Sequence, residues 1–311
     1  METVRSAAIS GQYPMWIDDL NIIRYDYERL NVHLSQVLNY GQETILQLRG
    51  ELFKLLWSVE DIEDFWEVAA EGFSTEVISI ILQSLESTHL QYLLSYQNSD
   101  GDTALHRLAN YRRADAINTV LDCVNEEWCY HLLLIASEYS GTPIHWSCEA
   151  GDGASLKVML DHVNQDMRYS LLQMRNHGSN NPLHLAVRGD PSIITDVILP
   201  LVTKSLWIDI LQMRGIGDMT VLQYICYVGW LGYSFPLQTI LNALKDAVGD
   251  ETWLQLLSDP LPDLDNHLLR TNPHMVQSFD VIQELRAEAM VKCVLKMGDI
   301  AGITKIKIHA G

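Results

Sequence analysis

An internal period of 39 residues constrains the fold of this chain more than any other feature of its sequence. With His145 taken as the origin, the same position falls on Glu67, His106, His184 and Gln223. Apolar residues keep this register. Twelve residues before each origin the chain carries leucine, at Leu55, Leu94, Leu133, Leu172 and Leu211. A self-similar period of about 20 to 50 residues indicates a row of structural repeats, each of which buries its apolar face against its neighbours.

Each repeat contains the signals of a short helix followed by a turn and a second helix. Residues able to cap a helix stand three positions before each origin, at Asp64, Thr103, Thr142, Asn181 and Thr220. Pro143 and Pro182 follow two of these caps, at the first helical position, where proline is tolerated. Small or compact residues stand three positions after the origins, at Ala70, Ala109, Cys148, Val187 and Cys226. The pattern predicts a cap, a short helix, a turn, a longer helix and a connector.

These residues also carry a family resemblance. The segments 103–106, 142–145 and 181–186 resemble the Thr-Pro-Leu-His-x-Ala signature of ankyrin repeats, over about residues 60 to 255. Ankyrin repeats have a period of about 33 residues, so each repeat here has about six more. The extra residues either lengthen the second helix or add a short third one. The resemblance implies an all-α fold, an ankyrin-like α-solenoid of helix-turn-helix repeats with helical caps at both ends.

The domain organisation follows from where the period holds. Residues 58–257 hold about five repeats, of which the first and last are degenerate because Glu67 and Gln223 replace the histidine. Helical spacing in residues 1–57 predicts an N-terminal helical cap, with a separate functional domain as the alternative. Residues 258–311 are expected to form a loop, a capping helix and a tail, whose segment 303–308 alternates like a strand.

The repeat at Gln223 is unusual because no charged residue occurs between Thr220 and Leu244. A membrane span is one interpretation. A buried repeat is favoured because the stretch keeps apolar residues at the repeating positions and also contains polar residues, glycine and proline. Leu241 and Leu244 return to register if three residues are inserted around 230–235. The inserted aromatic turn then either protrudes toward a partner or packs against the next repeat.

Composition limits the partners. The formal charge is 21 − 40 = −19, which disfavours nucleic acid, whose binding needs a basic face. A protein partner with a basic surface is favoured at the level of encounter. Five cysteines, an odd number, indicate reduced thiols and an intracellular, cytoplasmic protein. The N-terminal sequence has no secretory signal, although export by a signal-independent route stays open.

The sequence offers no recognisable catalytic or cofactor-binding motif. It contains no glycine-rich phosphate loop, no His-Glu-x-x-His and no Cys-x-x-Cys. His145 and Cys148, three residues apart on a helix, form a conceivable metal pair. The residues at the equivalent positions of the other repeats instead favour a histidine that makes local hydrogen bonds and a cysteine that lies in the core. We therefore predict a protein that is not an enzyme and has no catalytic, cofactor or metal site, while an enzyme built from residues distant in sequence is the less favoured alternative.

We expect the specificity for a partner to come from positions whose residues differ between repeats. In ankyrin-like stacks the first helices line a concave face, and the positions one and four residues after each origin differ between repeats. The predicted partner-binding residues are Arg107, Trp146, Glu149, Leu185, Arg188, Tyr224, Tyr227, Trp230 and Tyr233. Aromatic residues and arginine are the usual anchors of interfaces. The alternative is that Trp146 and Leu185 pack against the extra connector residues. The predicted function is a protein-binding scaffold. The rival is an adaptor or secreted effector in which a flanking region has a second activity.

Overall fold

A computed structural model describes residues 66–257, except 68, 72, 139–140, 204–205 and 231–236, together with Glu284 and Ala287. Over these residues the secondary structure is helical, and strand-like pairing is limited to isolated bridges between Ser137 and Gly141 and between Arg214 and Thr220. The all-α prediction is confirmed for this part of the chain. The predicted N-terminal cap at 1–57 and the tail at 303–308 lie outside the described residues.

The helices follow the repeats in groups of three. Residues 66, 67 and 69–71 are helical and precede α1 Thr75–Ser84 and α2 Ser87–Ser95. The next two groups are α3 Ala104–Asn110, α4 Ala114–Asp122 and α5 Glu126–Leu134, then α6 Pro143–Ala150, α7 Gly153–Asp161 and α8 Gln165–Gln173. The third group is α9 Pro182–Gly189, a π-helical turn Ile194–Ile198 that continues into α10 Leu199–Leu201, and α11 Trp207–Gln212. The last group is α12 Val221–Trp230, α13 Leu237–Val248 and α14 Asp250–Leu256, after a 3-10 turn at Ile216–Asp218.

The extra residues of each repeat form a third helix. The repeats therefore contain three helices, whereas the predicted fold class has helix-turn-helix pairs. The second helices α4 and α7 keep an ordinary length of nine residues. A new cap then starts the third helix, as where the Asn125 side chain accepts a hydrogen bond of 2.9 Å from the Trp128 N–H. The leucine column lies on these third helices, and Leu94, Leu133, Leu172 and Leu211 are each 0% exposed. The period therefore marks a buried seam, as the sequence predicts.

The chain divides into two compact units, residues 1–147 with 154–164 and residues 148–153 with 165–311. In the first unit, α1 packs against α4, its counterpart in the next repeat. In the second unit, α9 packs against α12, the π-helical turn against α13, and α11 against α14. In the second unit, successive repeats therefore contact each other helix to matching helix, and in the first unit the second helices do so.

A five-residue turn precedes α3, α6, α9 and α12, the first helices of four repeats. Its first N–H donates to the carbonyl four residues later, in the pairs Asn98–Asp102, Ser137–Gly141, Asn176–Asn180 and Gly215–Met219, at 2.8 to 3.0 Å. At Gly101, where φ is 79°, an added Cβ would lie 3.1 Å from the Glu138 backbone nitrogen. Glycine is needed there because the next turn approaches so closely, and the Glu138 N–H donates to the Asp100 carbonyl at 3.0 Å.

Two spacings describe the repeat at Gln223. Ile198 and Ile240 are buried and 42 residues apart, as are Val202 and Leu244, which is the spacing that an insertion of three residues predicts. Trp207 and Trp253 are buried and 46 residues apart, and subtracting the period of 39 from 46 leaves seven. The two insertions differ by four residues, about one helical turn, and sliding an apolar helix by one turn keeps apolar residues at the repeating positions.

The uncharged stretch of this repeat is divided between α12 and α13. Within the described ranges, no helix combines the length and the apolar character needed to cross a membrane.

Candidate protein-binding surface

The origin histidines His106 and His184 each hold two backbone segments together. Thr103 caps α3, and its N–H donates to His106 Nδ1 at 3.0 Å. Because Nδ1 accepts this hydrogen bond, the ring proton lies on Nε2, which donates to the Gly141 carbonyl in the next turn at 2.9 Å. His106 is 0% exposed. The predicted role as a local hydrogen-bonding residue is confirmed, and the bond extends to the following repeat.

The same position is occupied by residues that can accept a hydrogen bond from the cap. The Thr142 N–H donates to His145 Nδ1 at 3.2 Å. In the last repeat the Thr220 N–H donates to Gln223 Oε1 at 2.8 Å, and Gln223 N–H returns a bond of 3.3 Å to the Thr220 hydroxyl. This reciprocal pattern is a capping box, in which glutamine or glutamate is the usual partner. The origin column is therefore the third helical position of a capping box, which explains the substitution by Gln223.

His184 makes the corresponding contacts in the second unit. Its Nδ1 lies 2.6 Å from Asn181 Oδ1, and its Nε2 lies 3.1 Å from the Met219 carbonyl. Burial lowers the pKa of His106 and of His184 from 6.5 to about 4. Cys148, in the small-residue column, is 0% exposed, and burial raises the pKa of its thiol. These groups lie in the core, away from any solvent-borne substrate.

Two of the predicted partner-binding residues belong to the core and not to a surface. Leu185 is 2% exposed and Tyr224 is 5% exposed. The reason is the packing of α9 against α12, which turns the position after the origin toward a neighbouring helix. The Tyr224 ring centroid lies 5.8 Å from that of His184. The expected exposed aromatic stripe is therefore absent at these two described positions.

Trp146 keeps part of its side chain at the surface of the first unit. Its ring meets His106 of the preceding repeat edge-on, with centroids 6.4 Å apart and planes at 81°. In the described part of the chain the buried indole Nε1 has no hydrogen-bond partner. The part of the ring that reaches the surface offers a partner an aromatic contact.

Arg107 is held by carboxylates of its own unit. Its Nη1 lies 3.3 Å from Glu67 Oε2 and its Nε lies 3.8 Å from Asp102 Oδ2. Tyr111 donates to Glu67 Oε1 at 2.8 Å and to Glu71 Oε1 at 3.3 Å. Sequence reasoning did not select Tyr111. Its spacing of 40 residues from Glu71, close to the period, is the signal that could have found it.

Arg188 and Glu149 form an ion pair in the second unit, with Arg188 Nη2 2.9 Å from Glu149 Oε1. Both side chains are well exposed, at 52% and 40%. An exposed pair of this kind stabilises a fold by at most about 1 kcal/mol. Both charges are therefore open to re-pairing with a partner. Of the other predicted residues, Tyr233 and the side chains of Tyr227 and Trp230 lie outside the described part.

Comparison with known proteins gives no identification: no protein-family model matches this sequence, and no curated protein matches it significantly. Over the described residues, no group of three or more His, Cys, Asp or Glu side chains is arranged to hold a metal ion. The features that remain for a functional assignment are the repeat geometry and the side chains that the first helices expose.

Proposed function

We propose that the three-helix repeats are a divergent form of the ankyrin repeat and that the chain is a scaffold that binds a protein partner. Each of the two compact units offers a surface of its own, formed by first helices, for binding. In the first unit this surface comprises Arg107, Asn110 and Trp146. In the second unit it comprises the pair Glu149 and Arg188.

The observation that carries this proposal is the division between constant and variable positions. The links inside each repeat recur, from the capping box of the origin residue to the five-residue turn and the buried third-helix leucine. The neighbouring positions on the same first helices change from arginine to tryptophan and from asparagine to arginine. A repeat protein that keeps its packing and varies its surface is suited to recognising a partner without chemistry of its own.

The net charge of −19 supports a partner with a basic surface and disfavours nucleic acid. The buried free thiols Cys129 and Cys148 support a reducing, intracellular location. The rival proposal, an adaptor or effector with a second activity in a flanking region, concerns residues 1–57 and 258–311, and no contact of the described residues favours it.

Affinity capture with the full-length chain tests the proposal. We expect Trp146→Ala and Arg188→Ala each to weaken capture of the partner, because each removes a side chain that reaches the surface and leaves the hydrogen bonds of the origin residues in place. Asn118→Ala, on the exposed side of α4, is the matched control and should capture the partner normally. Unchanged capture by both first-helix variants would move the binding site elsewhere and end the proposal for this surface.

A further inference from the structure

The third helices of the first unit carry aromatic side chains that are exposed or half-buried. Leu93 and Leu94 of α2, and Leu132 and Leu133 of α5, are at most 3% exposed and anchor these helices. On the same helices and at the end of α2 stand residues that are exposed or only half-buried. These form the third-helix face: Tyr92, Tyr96, Trp128, Tyr130 and His131. Tyr92 is 44% exposed, so its ring contributes surface and little core.

The rings of this face are arranged in pairs. Tyr92 and Tyr96 have centroids 6.3 Å apart, and Trp128 stacks on His131 with centroids 5.1 Å apart and planes at 22°. Tyr92 and His131 are 39 residues apart and therefore occupy equivalent positions in successive repeats. The ends of the two helices are tied together, because Gln97 Nε2 donates to the Ala136 carbonyl at 3.3 Å. The two pairs thus lie on third helices of successive repeats whose C-terminal ends are in contact.

The charge of this face has one sign. Residues 86–97 and 125–136, which include both helices and their caps, contain no lysine or arginine. They contain three carboxylates, Glu86, Glu126 and Glu127, and all three are exposed. Aromatic rings flanked by carboxylates attract cationic side chains, through the ring quadrupole and through the negative charge. Arginine suits such a surface best because its flat guanidinium stacks on rings and forms bidentate bonds with carboxylates.

We propose that the third-helix face is a second interaction surface, and that its ligand is an arginine-containing segment of a partner protein. This surface is separate from the first-helix surface, and its residues belong to the helices that the ankyrin resemblance does not include. The proposal therefore stands or falls independently of the proposed function.

The test is fluorescence polarisation with the full-length chain and a fluorescein-labelled peptide in which arginine alternates with glycine. A peptide with citrulline in place of arginine is the neutral control. We expect Tyr92→Ala/Trp128→Ala to weaken binding of the arginine peptide by about fivefold to thirtyfold, the loss of two exposed cation–π contacts. Because this change leaves the net charge at −19, it separates the face from general acidity.

The matched control is Gln83→Ala/Asn118→Ala, which removes exposed side chains from α1 and α4 and should leave the affinity within twofold of the wild type. Unchanged affinity in Tyr92→Ala/Trp128→Ala would show that bulk charge alone attracts the peptide and would overturn the proposal. Failure of the wild type to prefer the arginine peptide over the citrulline peptide would overturn it as well.

A charge-reversal pair covers the case in which the aromatic double variant does not fold. Glu126→Lys/Glu127→Lys should weaken binding more than Glu76→Lys/Asp166→Lys, which places the same charges in the first turns of two other helices. Equal losses would refute a localised face. Sedimentation velocity on the wild type addresses a different occupant: self-association that Trp128→Ala abolishes would identify a second copy of the chain as the ligand and contradict the proposal.

Discussion

Replacement of His106 by alanine should destabilise the first unit substantially. The substitution leaves the buried Thr103 N–H without the ring nitrogen 3.0 Å away, and it removes the 2.9 Å hydrogen bond from the ring to the Gly141 carbonyl. That carbonyl keeps the hydrogen bond from the Ser137 N–H at 2.9 Å. The unsatisfied N–H costs about 1–3 kcal/mol and the lost bond about 0.5–1.5 kcal/mol, so the expected loss in the free energy of unfolding is about 2–4 kcal/mol.

The last repeat supplies the informative second variant. Gln223 keeps the hydrogen bond from its cap at 2.8 Å, so His106→Gln should keep the bond from Thr103. It then loses at most the bond to Gly141, whose carbonyl keeps the Ser137 N–H as a donor, and we expect a loss of about 0.5–1.5 kcal/mol. The order of stability should be wild type, His106→Gln and His106→Ala.

The pH dependence tests the same contact. The folded chain lowers the pKa of His106 from 6.5 to about 4 because the ring is buried. Between these values the unfolded chain binds a proton that the folded chain does not, so stability is full above about pH 6.5 and falls as the pH is lowered toward 4. The difference of 2.5 pKa units, 6.5 minus about 4, corresponds to about 3 kcal/mol. His106→Gln lacks this histidine and should lose correspondingly less stability over that range.

Urea unfolding followed by circular dichroism at pH 7 and at pH 4.5 measures both effects. His177→Ala, at an exposed histidine in the turn before α9, is the control and should leave the stability at pH 7 within about 0.5 kcal/mol of the wild type. Two results would refute the reasoning. One is an alanine variant within about 0.5 kcal/mol of the wild type at pH 7, below the range expected for buried unsatisfied groups. The other is a glutamine variant with the same acid response as the wild type.

Three further predictions use the same unfolding measurement. Leu133→Ala, at a side chain 0% exposed on α5, should cost about 3–5 kcal/mol. Leu134→Ala, at the half-buried neighbour, should cost clearly less, and equal losses would contradict the third-helix seam. Gly189→Ala places a Cβ 2.3 Å from the Cys148 carbonyl oxygen and should destabilise by about 1–3 kcal/mol. At Gly178 an added Cβ would lie 3.2 Å from its nearest neighbour, the Asn180 side-chain nitrogen, so Gly178→Ala should destabilise less than Gly189→Ala. A larger loss for Gly178→Ala than for Gly189→Ala would show that the clash is not the cause. A double-mutant cycle of Glu149→Ala and Arg188→Ala should give a coupling of at most about 1 kcal/mol, since both side chains are exposed; a larger coupling would show that the pair is structural.

The features that the sequence predicts well are those that recur within one chain. The period of the leucine column and the positions of the helix caps need only local rules, and Leu94 and Leu133 are buried as expected. The role of the origin residue also follows from a local contact, since His106 bonds with a cap three residues away. Local patterns of this kind repeat with the chain and can be checked against themselves.

The features that the sequence does not fix depend on contacts between helices. About six extra residues can extend a helix or begin another, and the cap at Asn125 decides between these outcomes. The insertion near Trp230 is ambiguous by one helical turn. Leu185 and Tyr224 occupy variable positions, which suggested a surface, yet the approach of α12 to α9 buries both. Variability along the chain is therefore not evidence of exposure.

Site-specific photocrosslinking tests most directly the claim that the first helices bind the partner. A photoreactive amino acid is placed in the full-length chain at Asn110 on α3 or at Asn118 on α4, two exposed asparagines on successive helices of one repeat. A partner protein crosslinked from position 110 and not from position 118 is the result that the account predicts. Crosslinking from position 118 alone would contradict it.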